Sequence, residues 1–120
     1  MANSTVPPVE PAVDFSHFTG LDVRAATVLE ALPFPEARKP AYKLRLDLGP
    51  LGQRWSSAQI TDLYEPEGLI GTQVLAVVNL GSRRIAGFKS ECLVLGVPDA
   101  NGAVVLVRPD RVVENGVRLY

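Results

Sequence analysis

The sequence predicts an all-β domain that closes into a small barrel. Two observations predict it. Apolar residues alternate with polar ones, or form short β-branched runs, and Gly, Pro and Asn turn signals separate these segments at short spacing. A central stretch broken by Pro66, Gly68 and Gly71 leaves room for a single short helical connector, as small closed barrels have.

The elements follow in chain order. Residues 1–13 carry Pro7, Pro8 and Pro11 and no basic leader region, so they are expected to be a flexible N-terminal tail and not a signal peptide. The folded domain is expected over 14–120. Asp14 is placed to cap a helical turn, with Phe15 and Phe18 plugging one end of the core. Leu21 to Ala25 alternates as a strand, and the adjacent Ala25-Ala26 shifts the phase, which predicts a β-bulge there. Pro33 to Pro40 is a loop with room for one helical turn. Tyr42 to Leu48 alternates strictly, Gly49-Pro50-Leu51-Gly52 turns, and Gln53 to Ile60 returns, giving a hairpin whose wet face carries Lys43 and Arg45. Pro66 suits the first position of a short helix over 66–70. Val74 to Val78, Cys92 to Leu95 and Ala103 to Val107 are continuous apolar strands, the last two joined by Asp99-Ala100-Asn101-Gly102. Val112-Val113 and Val117 to Leu119, around Asn115-Gly116, predict a final hairpin. Continuous apolar strands need cover on both faces, and 120 residues supply too little chain to provide it, so a homodimer is expected.

Composition bounds the function. The chain length fits one domain. Twelve Lys and Arg stand against thirteen Asp and Glu, so the total lacks the basic excess that phosphate-backbone binders usually carry. Cys92 is the single cysteine, which excludes an internal disulfide and suits a reducing, cytoplasmic setting. No run of apolar residues is long enough to span a membrane, so no membrane insertion is expected. His17, the one histidine, has no partner with which to hold a metal. Ser56 and Ser57 have no readable base, Cys92 opens an apolar strand, and no phosphate-cradling GxxxxGK[ST] motif occurs. No catalytic residue, metal or cofactor is therefore expected, and the chain reads as a binding module and not an enzyme.

Particular residues carry a resemblance. Asp22-Val23-Arg24-Ala25-Ala26-Thr27-Val28 is similar to the D-x-R-x-G-x-V/I opening strand of the tRNA-binding OB-fold domain family. Ala37 to Gly49 and Val77 to Glu91 are similar to its second and third blocks. Ser56-Ser57-Ala58-Gln59-Ile60-Thr61, Leu69-Ile70-Gly71, Arg84 to Glu91 and Leu93 to Gly96 most resemble the CsaA-type secretion chaperones within it. The resemblance covers Phe15 to Leu119. It implies a five-stranded OB-fold barrel with short helical connectors, dimerising, which binds unfolded preproteins without ATP and assists their export, in contact with export machinery. Its alternative implication is a tRNA- or RNA-binding module. Two departures stand out. Ser90-Glu91-Cys92-Leu93 replaces the Ser-x-x-Met of tRNA-binding relatives, adding a carboxylate and weakening the tRNA reading, and Ala25-Ala26 replaces a glycine position.

OB-folds bind on the face of strands two and three and in the adjoining loops. The candidate ligand residues there are Arg38, Lys39, Trp55, Ser56, Ser57 and Gln59. The following loop adds Asn79, Arg83, Arg84, Phe88, Lys89 and Ser90. Cations beside aromatic rings and hydroxyls suit either an extended peptide or unpaired RNA bases.

Overall fold

The computed structural model describes residues 6–120. Its organising element is β1, Val23–Pro33, whose first half pairs antiparallel with β4 (Gln73–Val77) and whose second half pairs antiparallel with β2 (Tyr42–Asp47). A strand that serves two partners at two stations has to bend, and the bend is at Leu29: Val28 faces Leu46, but the next ladder pair is Glu30 with Arg45. The sequence reading put this bulge at Ala25-Ala26. There the register to β4 is uninterrupted, Ala25 opposite Leu75 and Ala26 opposite Val74. Successive strand residues point to opposite faces. Both alanines are buried because the C-terminal chain covers the outer face at Ala25.

β3 (Gln53–Ala58) returns along β2 after a 3₁₀ turn over Gly49–Leu51, and the principal sheet runs β3-β2-β1-β4-β7, with β7 at Leu93–Val94. Two hairpins stand apart from it, β5 (Arg83–Ile85) with β6 (Phe88–Ser90) and β8 (Gly96–Pro98) with β9 (Val104–Leu106). The expected Cys92–Leu95 strand thus divides: its middle joins β4, and the chain beyond Leu95 forms the hairpin closed by Asp99, whose carboxylate accepts the N–H groups of Asn101 and Ala103. The alternation in β2 sends Leu44, Leu46 and Leu48 inward, where they are fully buried with Val28, Val74 and Leu69. Leu69 comes from the connector helix α2, Pro66–Leu69, where Pro66 stands at the start as expected. With its strands bent around one core, the molecule is all-β and closes as a barrel of the OB type.

Three expectations about the ends and the loop are corrected. α1 (Ser16–Thr19) forms where Asp14 accepts the Ser16 N–H, yet Phe15 and Phe18 do not plug the core: they are 72% and 41% exposed and lean on each other at 5.7 Å. The loop after Pro33 makes a turn closed by Ala37 N–H to the Phe34 carbonyl and no helix. The C-terminal chain makes no hairpin. Residues 116–119 run along the free edge of β1 instead, with Gly116 N–H donating to the Ala25 carbonyl, Ala25 N–H to Val117, and Leu119 N–H to Val23. The Asn115-Gly116 turn forms as expected, with Val117 N–H reaching the Glu114 carbonyl, but the chain after it pairs with the edge of β1 and not with residues 112–113, and Asn115 is itself held. Its side-chain oxygen accepts from Thr27 Oγ1 and Gln73 Nε2.

Candidate nucleic-acid or peptide interface

Closure of the barrel between β3 and the chain after β6 places the site. No regular ladder spans this seam. Glu91 N–H donates to the Trp55 carbonyl (2.8 Å), Trp55 N–H donates to the Glu91 carboxylate (3.0 Å), Ser57 N–H donates to Ser90 Oγ (2.9 Å), and Ser56 Oγ donates to the Cys92 carbonyl (2.8 Å). Side chains stand in for backbone partners, and this fixes the β5–β6 hairpin against the outside of β3. The carboxylate that Glu91 adds is engaged in the seam, where it accepts the Trp55 N–H.

On this outer face lies an aromatic cluster. Phe88 meets Phe34 edge-on at 5.3 Å and Trp55 edge-on at 5.9 Å. Lys43 Nζ sits 4.7 Å from the Phe34 ring centre and 5.2 Å from that of Phe88. The expected wet face of β2 is therefore half-covered: Lys43 lies under rings, and Arg45 binds Glu30 and Gln53. Phe34 is the residue that sequence reasoning missed. It sits between two prolines in a loop, and the one signal that could have found it was a large aromatic where loops carry polar residues.

Around the rings stand cations. Arg38 and Lys39 are exposed in the loop after Phe34, and Arg83, Arg84 and Lys89 are exposed on the hairpin. Among the described residues the ion pairs take up Arg24, Arg45, Arg111 and Arg118, none of them in this group. A near-neutral total thus includes, among the described residues, five exposed cations without an ion-pair partner in the loop after Phe34 and on the hairpin. Arg84 lies directly across the ladder from Lys89. Like charges opposite one another destabilise a hairpin unless something anionic relieves them. The hairpin turns at Ala86-Gly87, with φ of +47° and +82°; the alanine is held in a conformation that L-residues disfavour.

The expected site residues do not all come together. Trp55 and Phe88 meet on this face, with Gln59 exposed just beyond β3 and Ser57 half-buried in it, and Arg38 and Lys39 are exposed in the loop after Phe34; Arg84 and Lys89 alternate with Ile85 and Phe88 and so point to the other side of the hairpin. Ser56 and Ser90 are buried and engaged in the seam. Asn79 is exposed but uses both ends of its amide, accepting from Asp22 N–H and donating to the Gly20 carbonyl, so it ties α1 to the loop that leads into the hairpin. Cys92 is buried, and burial pushes its thiol up to about 11. Among the described residues no cluster of three or more His, Cys, Asp or Glu is arranged to hold a metal.

The family model "Putative tRNA binding domain" matches residues 23–118. The chain belongs to the tRNA-binding domain family. This tRNA-binding domain is 51% identical to the chaperone CsaA of Bacillus anthracis over 92% of its own length and 100% of that chain, with a TM-score of 0.86. It is 40% identical to the CsaA chaperone protein of Picrophilus torridus, covering 91% of this chain and 100% of the other at a TM-score of 0.85. Among curated sequences it is 34% identical to the methionine–tRNA ligase of Parabacteroides distasonis over 96% of this chain. The domain spans only 17% of that ligase. The described residues contain no helix long and apolar enough to cross a membrane.

Proposed function

We propose that the domain is an ATP-independent chaperone that binds unfolded or export-bound polypeptides in the cytoplasm and assists their secretion. The half-buried rings of Trp55 and Phe88 on the outside of the barrel, backed by the buried Phe34 and beside Ser57 and Gln59, carry this reading. An extended client would place apolar side chains against the rings while its backbone meets Ser57 and Gln59. The similarity to CsaA chaperones along whole chains supports it. Delivery of a preprotein would bring the domain into contact with export machinery.

The working unit of this reading is a homodimer. Phe18, Leu21, Val117 and Leu119 are each about 40% exposed, and two apolar grooves of about 350 and 230 Å³ meet at Leu119 and Tyr120. Exposed apolar surface gathered in one place marks an interface.

A second reading, tRNA binding, is favoured by the exposed cations Arg38, Lys39, Arg83, Arg84 and Lys89, which suit phosphates. It is also supported by the family model and the ligase relatives. One paired experiment decides: suppression of client aggregation without ATP, set beside a tRNA gel shift across a salt series. Arg83→Glu with Arg84→Glu is expected to abolish tRNA retention and leave aggregation suppression near its starting level. Salt-sensitive tRNA binding with no effect on client aggregation would overturn the chaperone reading.

A further inference from the structure

Where the C-terminal chain turns onto the edge of β1 it reads Glu114-Asn115-Gly116-Val117. The fold demands both central residues. Gly116 has a φ of +95°, and a Cβ there would stand 2.5 Å from the Leu48 carbonyl oxygen, so only glycine fits. Asn115 is used through its side-chain oxygen, which accepts from Thr27 Oγ1 at 2.8 Å and from Gln73 Nε2 at 3.0 Å. The same two residues form the pair in which asparagine deamidates most readily. The amide nitrogen after an asparagine attacks its side-chain carbonyl, and glycine presents that nitrogen with no Cβ to hinder it. The sequence contains a second such pair, Asn101-Gly102, in the turn between β8 and β9.

In the folded chain both reacting groups of Asn115-Gly116 are occupied. Gly116 N–H donates to the Ala25 carbonyl at 2.8 Å, which shields the nitrogen from the base that must take its proton. Thr27 and Gln73 hold the side-chain carbonyl that has to turn towards that nitrogen. Reaction therefore waits until the chain lifts off β1, which breaks the bonds from Gly116 to Ala25, from Ala25 to Val117 and from Leu119 to Val23. Hydroxide then removes the Gly116 proton, the nitrogen bonds to Asn115 Cγ, and the side-chain nitrogen leaves as ammonia. Water opens the resulting cyclic imide. Cleavage of its bond to Cγ gives aspartate. Cleavage of its bond to the backbone carbonyl carbon gives isoaspartate, whose main chain runs through Cβ and Cγ and is one carbon longer. The docked chain has no room for that carbon. The Asn115 carbonyl oxygen lies 2.4 Å from where a Cβ on Gly49 would stand, and Gly116 is pressed as closely against Leu48.

We infer that Asn115-Gly116 is a self-modification site guarded by the docking of the C-terminal chain, and that isoaspartate formed during one opening prevents the chain from docking again. Asn101-Gly102 is the unguarded counterpart: both residues are exposed, a Cβ on Gly102 would meet nothing, and Gly102 N–H reaches only the Asp99 carbonyl of its own turn. In the test, the full chain is aged at mildly alkaline pH, folded and in guanidinium chloride, and both pairs are followed by peptide mapping, with electron-transfer fragmentation separating isoaspartate from aspartate. In denaturant the two pairs should convert at similar rates. In the folded chain Asn101 should convert well ahead of Asn115, which should slow on the order of a hundredfold because three backbone bonds have to open first. Asn115→Asp keeps both side-chain bonds, which use the oxygen alone, so it should retain slow hydrogen exchange at the Ala25 and Leu119 amides. The isoaspartate form isolated from the aged chain should lose that protection while β2 keeps its own. Equal folded-state rates at the two pairs, or a folded-state rate at Asn115 that matches its rate in denaturant, overturns the guard. Unchanged protection at Ala25 in the isoaspartate form overturns the block to docking.

Discussion

Phe88 is the residue on which the candidate site turns, and Phe88→Ala tests that directly. The ring makes edge-on contacts with Phe34 and Trp55 and shares Lys43 with Phe34. Aromatic pairs are worth about 1 kcal/mol each beyond area, and Lys43 keeps the Phe34 ring, so the loss of the two pairs removes about 2 kcal/mol of anchoring. That loss is local. The β5–β6 ladder has only the pairs Arg83–Ser90, Arg84–Lys89 and Ile85–Phe88, and an isolated two-stranded hairpin is marginal in water. The core around Leu44 and Leu46 does not include Phe88. Amide hydrogen exchange over 83–89 should therefore speed up about 30-fold, while β1 and β4 keep their protection. Trp55 is the only tryptophan, so its emission should shift to the red as the ring leaves it. Phe88→Tyr should restore both readouts. Unchanged exchange over 83–89, or an acceleration spread evenly through β1 and β4, would refute the reasoning that Phe88 is what pins the hairpin.

Three further outcomes are expected. Gly116→Ala should cost about 3 kcal/mol in urea unfolding, since φ is +95° and a Cβ would sit 2.5 Å from the Leu48 carbonyl oxygen, which forces the C-terminal chain off β1; a cost under about 0.5 kcal/mol would mean the edge pairing is loose. Cys92 should resist alkylation at pH 8 by about 100-fold relative to a free thiol, because a pKa of about 11 leaves about one thiolate in a thousand, and modification at a free-thiol rate would show that the strand opens readily. The Asp22 carboxyl is held below its usual range by the Arg24 guanidinium, with Arg118 adding to it. A depressed folded-state pKa gives stability that is present above about pH 4 and lost as pH falls through the lowered value. Asp22→Asn should thus be about 1 kcal/mol less stable at pH 7, and the gap to the parent chain should close towards pH 3; a gap that stays constant with pH would assign the effect to shape and not charge.

Period-two alternation and turn residues were enough to place β2, β3, β4 and α2, because burial of Leu44, Leu46 and Leu48 on one face is written into local spacing. Family blocks supplied the barrel type and brought Trp55, Phe88 and the cations into one candidate list. What local pattern could not carry was decided by contacts between distant residues. The bulge falls at Leu29 and not at Ala25-Ala26, because the alanines stay in register with β4 and the shift comes where β1 has passed over to β2. The Asn115-Gly116 turn forms, but the chain it delivers pairs with the distant edge of β1 and not with its local neighbour, with Thr27 and Gln73 holding Asn115. Ser56 and Ser90, which by composition look like ligand groups, face the seam, and Phe34, which composition passed over, completes the aromatic cluster. The sequence by itself determined which residues are apolar and at what period, and hence the strands and the barrel. Only the tertiary structure decided which rings meet, because Phe34, Trp55 and Phe88 lie on three separate elements that only the closed barrel brings together, and so it alone revealed an aromatic face.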